Sequence, residues 1–183
     1  TSGPRIQPRL FGGWELPQDL CADPELVSKG YASGVPMGGD LAARPAGARA
    51  PVFVVSALAD PGSASRAGGL LQRIQIIKGW ADAGGLIHQA VYDVAGNAQN
   101  GASVDAETCE VSGPGERQLC GVWSDPGFDP ARRALYYARV VENPSCRWNA
   151  RQCAALPKRE RPAACTDPAV PKQIQERAWT SPI

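Results

Sequence analysis

A chain of 183 residues, 43% of them hydrophobic, is long enough to bury a core and short enough to be one domain. Its 19 basic and 18 acidic residues leave a formal charge of +1, and the densest basic patch, Lys158-Arg159-Glu160-Arg161, is far short of the positive face that nucleic acid requires. No apolar stretch approaches the roughly 20 residues of a membrane-spanning helix.

Thr1 is not an initiator, the single methionine is Met37, and no charged-then-apolar leader stands near the start. Residue 1 is therefore expected to be a processing or excision point, and the apolar close at Ile183 suggests that both ends were cut from a longer chain. Arg5 to Phe11 reads as a first, weak strand. Asp23-Pro24-Glu25 reads as a helix start, with an N-cap acceptor, proline at the first helical position and an acid in the first turn; Gly30 is its expected stop.

After the glycine-rich loop Gly34 to Asp40 come strands at Val52 to Leu58, Leu71 to Lys78 and Leu86 to Val94. The last of these alternates most clearly, with Leu86, Ala90, Tyr92 and Val94 sharing a face with His88. Val104 to Val111 and Gln118 to Ser124 are weaker candidates. Asp129-Pro130 is expected to open a single helical turn, Leu135 to Glu142 is a strand, and residues 143–171 read as a long, proline-rich, disulfide-stapled surface loop. A short helix competes with coil around Val170 to Glu176, and Arg177 to Ile183 closes the chain as a strand. With glycine (20) and proline (17) making about a fifth of the residues, the expected fold is mainly β: an antiparallel, Ig-like β-sandwich over residues 1–183, with one or two short helices.

Six cysteines (Cys21, Cys109, Cys120, Cys146, Cys153, Cys165) with a single histidine favour disulfides over zinc, which wants closely spaced Cys pairs or several His. The expected compartment is periplasmic or extracellular. In a hairpin centred on Pro114-Gly115, Cys109 and Cys120 fall opposite one another, so Cys109–Cys120 is the expected bridge. The other four allow three connectivities, which the sequence does not rank.

Few side chains in the sequence offer chemistry. His88 is the only imidazole, no G-x-S-x-G elbow exists, and the alternation places His88 in a regular strand, as a sheet histidine with a satisfied hydrogen bond. A multi-histidine metal site cannot be built from this chain, and no cofactor is expected in it. Met37, Gly38, Gly39 and Asp40 form a mobile-looking loop ending in a carboxylate but lack the Lys-Ser/Thr of a phosphate loop; they are candidates for touching a ligand or a neighbouring domain. Asp93, Asn97, Asn100, Asp105 and Glu107 crowd one region, though hairpin turns need such residues and the spacing fails the EF-hand pattern. Trp14, Trp80, Trp123, Trp148 and Trp179 are read as core or interface residues before a sugar-stacking platform.

Several segments carry a resemblance. Thr1-Ser2-Gly3-Pro4-Arg5-Ile6, Phe11-Gly12-Gly13-Trp14, Gly34-Val35-Pro36-Met37-Gly38-Gly39-Asp40-Leu41, the run Leu71 to Trp80, Val91-Tyr92-Asp93-Val94-Ala95 and the closing Gln175 to Ile183 resemble, in order, the C-terminal portion of the bacterial domain-of-unknown-function family DUF3604. That family in turn resembles the polymerase-and-histidinol-phosphatase (PHP) superfamily, in which histidines and acids hold divalent metals that activate water. The resemblance implies that those ligands lie in an N-terminal catalytic domain, upstream of Thr1. It implies for this chain a non-catalytic accessory domain whose partner is that catalytic domain, with Met37 to Asp40 bordering the substrate entrance. The alternative expectation is a free-standing carbohydrate- or protein-binding module.

Overall fold

The computed structural model describes all residues from Thr1 to Ile183. In chain order the elements are β1 (Gln7–Gly13), α1 (Leu26–Ser33), β2 (Val35–Pro36), β3 (Val52–Leu58), β4 (Gly62–Ser63), β5 (Arg66–Ala67), β6 (Leu71–Ala81), β7 (Ile87–Gly96), β8 (Ser103–Val104), β9 (Val111–Ser112), β10 (Gln118–Ser124), β11 (Ala134–Cys146), α2 (Trp148–Ala155) and β12 (Gln173–Trp179). Two four-stranded antiparallel sheets, ordered β10-β3-β1-β2 and β12-β11-β6-β7, pack as a sandwich. No helix is long and apolar enough to cross a membrane.

Alternation explains the layering. Leu10, Phe53, Val55 and Ala57 face Ile74, Ile76, Ala138, Val140 and Ala178 of the opposite sheet and form the main core. Phe11, Val52 and Val54 point the other way and pack with Leu16 and Leu20 beneath the short helical turn Leu20–Ala22 and α1. The run Val52-Phe53-Val54-Val55 is therefore apolar on both faces because each face has a cover. A third small cluster, Val104, Cys146 and Ala150, seats α2 against β11.

α1 begins three residues later than Asp23 and runs past Gly30. Asp23 accepts from the Glu25 N–H at 2.8 Å and grips Lys29 at 2.5 Å, so it organises the approach to the helix without capping it. Gly30 carries no side chain because a Cβ there would lie 2.7 Å from the Phe11 ring; the helix ends at Gly34. The Asp129 segment makes only a turn, with the Arg132 N–H reaching the Asp129 carbonyl. Segment 143–171 is not a plain loop: it continues β11 to Cys146 and then folds α2 and two short helical turns, with the Cys153–Cys165 bridge inside it. Gln173–Trp179 form β12 where a helix competed, so the closing strand expected at Arg177 to Ile183 begins four residues earlier and stops at Trp179.

The Cys109–Cys120 expectation is wrong: the bridges are Cys21–Cys120, Cys109–Cys146 and Cys153–Cys165. Pro114-Gly115 is not a hairpin turn. Glu116 exchanges both backbone hydrogen bonds with Leu71, and the Asn143 amide donates to the Pro114 carbonyl, so this segment crosses from one sheet to the other. Val104 to Val111 is likewise no continuous strand. The Asp105 carboxylate accepts N–H groups from Glu107 and Thr108, a side-chain turn that folds the segment into the β8–β9 hairpin and swings Cys109 to Cys146. Cys120, beside Val122 on the outer face of β10, meets Cys21 under the helical cover.

Candidate functional site

The loop predicted to be mobile is built into the sandwich. Val35 and Pro36 pair with Gly12 and Phe11 as an edge strand, and the Met37 N–H donates to the Leu10 carbonyl. At Gly38 the backbone takes φ +90°, a conformation open to glycine, and its N–H donates to the Pro182 carbonyl at 2.8 Å. The tail is fixed in turn: Ile183 exchanges two backbone hydrogen bonds with Tyr136, and the Ala138 N–H donates to Thr180 Oγ1. Met37 to Asp40 and the Thr180–Ile183 tail thus form one latched rim. Met37 is 39% exposed at its crest, and Leu41 anchors its far side in the core. With two consecutive glycines, the rim presents backbone more than side chain.

The remaining candidates go to other partners. His88 Nε2 lies 2.8 Å from Asp82 Oδ2, and the ring stacks on Trp80 with centroids 5.4 Å apart. The His88 contact, followed by N–H groups of Leu86 and Gly84, holds the Asp82 carboxyl below the usual range. No hydroxyl or thiol hydrogen-bonds to the ring. Asp93 takes Gln75 and, at 3.6 Å, Arg73 on the other face of the strand, so His88 and Asp93 do not form a dyad. Asn97 and Asp105 close turns, Asn100 bridges to Asn143 and the Pro114 carbonyl, and Glu107 pairs with Arg161. Trp123 is drawn in beside Phe53, Tyr92 and Tyr136, Trp14 meets Phe128 edge-on, and Trp148 and Trp179 stand exposed.

The residues do not fit the metal centre that the PHP resemblance implies. No group of three or more His, Cys, Asp or Glu side chains is placed to hold an ion, and the one imidazole is engaged as above.

One polar constellation was not singled out from the sequence. Lys78 and Asp125 form a buried pair with Nζ to Oδ2 at 2.5 Å, and the Tyr136 hydroxyl donates to the same Oδ2 at 2.7 Å. Its signal was present in the alternation: Lys78 follows Ile74 and Ile76 on the inward face of its strand, where a cation needs a reason. Asp125 gave none, lying just beyond its strand.

A family model described as a protein of unknown function (DUF3604) matches residues 1–183. No curated protein and no solved structure matches the chain.

Proposed function

This chain belongs to the DUF3604 family, and from that premise we propose that it is the non-catalytic C-terminal accessory domain of an exported, PHP-like metal-dependent hydrolase. The divalent metal and the chemistry it supplies belong to the N-terminal catalytic domain, and the Met37 to Asp40 rim borders the substrate entrance there. The observation that carries the reading is the latched rim. A backbone-rich ridge fastened through Met37 to Leu10 and through Gly38 to Pro182, with Leu41 packed against the core beyond it, holds its shape when another surface closes on it. The engagement of His88 by Asp82 and Trp80 supports a catalytic centre outside this chain. Three disulfides with no free cysteine fit an oxidising compartment, periplasmic or extracellular.

The isolated chain is expected to hydrolyse no phosphate or carboxylate ester and to retain no stoichiometric divalent metal after gel filtration. Turnover that survives chelation and disappears in His88→Ala overturns the reading. In the parent reading frame, Met37→Glu is expected to lower kcat/KM at least about tenfold by disturbing the entrance, while Trp148→Glu, at an exposed position on α2, leaves it unchanged.

A further inference from the structure

Where β6, β7 and β11 meet the connection between β10 and β11, a cavity of about 170 Å³ is walled by Trp80, Tyr92, Phe128 and Tyr136. The first three are partly exposed and Tyr136 is buried. Lys78 enters from β6. Its ammonium donates to Asp125 Oδ2 at 2.5 Å and to the Gly127 carbonyl at 2.8 Å, and lies 5.2 Å from the centre of the Trp80 ring. An ammonium has three N–H groups, so one remains for a guest. At the mouth, Arg132 and Asp129 pair at 2.9 Å with about half of each side chain still exposed.

Stability alone does not account for this arrangement. A buried ion pair costs desolvation that well-packed apolar residues would avoid, yet Lys78 and Asp125 are 9% and 0% exposed at their side chains. Burial, and then the hydrogen bond to Asp125, push the Tyr136 hydroxyl up, so it stays a protonated donor fixing that carboxylate. The result is a rigid cation with a spare donor, set in aromatic walls.

The shape and charge select the guest. Lys78 and Arg132 are balanced by Asp125 and Asp129, so the site offers no net attraction to a free anion. The volume falls below the roughly 300 Å³ of a drug-sized site and suits one six-membered ring. Flat apolar walls beside a spare N–H, a guanidinium and a carboxylate match a molecule with C–H faces and hydroxyl edges. We propose that this cavity binds a single neutral pyranose ring, as a free sugar or as one residue of a polysaccharide. The site is independent of the rim and of any activity upstream.

The test uses the disulfide-intact chain and the methyl glycosides of glucose, galactose, mannose and N-acetylglucosamine, followed by the indole N–H resonance of Trp80. At least one glycoside is expected to shift that signal saturably, with a dissociation constant on the order of 1–10 mM. Phe128→Ala is expected to weaken binding about tenfold, and Arg132→Ala, at a half-exposed side chain, reports on the site even if removal of Phe128 unfolds the chain. A longer response to an oligosaccharide than to its glycoside assigns a polysaccharide source, and an equal response assigns the free sugar. No saturable shift with any glycoside up to about 50 mM, shifts unchanged in the folded variants, or a response only to sodium acetate or phosphate overturns the proposal.

Discussion

Glu142 is one of six polar or charged residues that the fold buries. The bulge that shifts β11 between Val141 and Glu142 turns it inward, where it is 3% exposed, its Oε1 has no partner and its other oxygen lies against the Gly69 backbone. Burial, followed by the negative charges of Glu176 and Asp60, raises its pKa from 4.5 to about 7. A carboxyl whose folded pKa is raised stabilises the fold while it is protonated, so its contribution is complete below about pH 4.5 and is lost as pH rises through 7. Glu142→Gln is therefore expected to raise stability at pH 8 by up to ~3 kcal/mol and to flatten the decline between pH 5 and 8, read from urea midpoints across that range. Asp60 works in the opposite sense. N–H groups of Arg5 and Gly62 hold it down to about 2, so its contribution is present above the ordinary carboxylate range and fades as pH falls towards 2. At this scale the sequence was only partly legible. Gly30 looked like a helix stop because glycine usually ends helices, whereas its role is to let α1 approach Phe11. Gly30→Ala is accordingly expected to destabilise the chain by about 2 kcal/mol, measured by thermal unfolding, despite the better helix propensity of alanine.

At the scale of elements, the strands with strong alternation were readable and the cysteine links were not. Ile87–Gly96 runs within two residues of the predicted Leu86 to Val94, since period-two burial is a local property of the chain, and Val52–Leu58 and Gln118–Ser124 also run where they were expected. A disulfide joins elements distant in sequence, and Pro114-Gly115 resembles a hairpin turn until its partners, Leu71 and Asn143, are known. The loops that the bridges close differ in length, with separations of 99 residues for Cys21–Cys120 and 12 for Cys153–Cys165. Replacing both cysteines of the first pair by alanine is expected to cost about 4–5 kcal/mol, and of the second about 3 kcal/mol or less, in guanidinium unfolding. Loss of the second pair loosens only the end of α2 and the segment after it and leaves the sandwich cooperative; equal losses, or a Cys109–Cys120 peptide in a non-reducing digest, contradict the pairing. The rim shows the same limit of local reading. Gly34 to Asp40 looks mobile from composition alone, and only the arrival of Leu10 and Pro182 beside it makes it rigid.

For the whole molecule, composition and spacing indicated a sandwich, but the pocket was hidden because its parts come from three strands and a connection. Trp80, Tyr92 and Tyr136 each look like ordinary strand residues, Lys78 alone stands out on an inward face, and the register that aligns Lys78 with Tyr136 and with Ala90 gathers them at one end. The same non-local construction joins the two ends of the chain. Ser2 hydrogen-bonds to Glu176 across 174 positions and exchanges contacts with the Arg177 backbone, while Ile6 and Ala178 share the main core.

That closure has a kinetic consequence. A ribosome releasing this polypeptide must deliver residues up to Ala178 before β12 can pair with β11 and complete the interior, so the core stays open at that edge until almost the end of synthesis. All-β architectures with such distant pairings fold on the order of milliseconds to seconds. During that interval six reduced thiols are also free to meet the wrong partners, so the yield on refolding is expected to rise when a thiol–disulfide redox buffer lets bridges reshuffle.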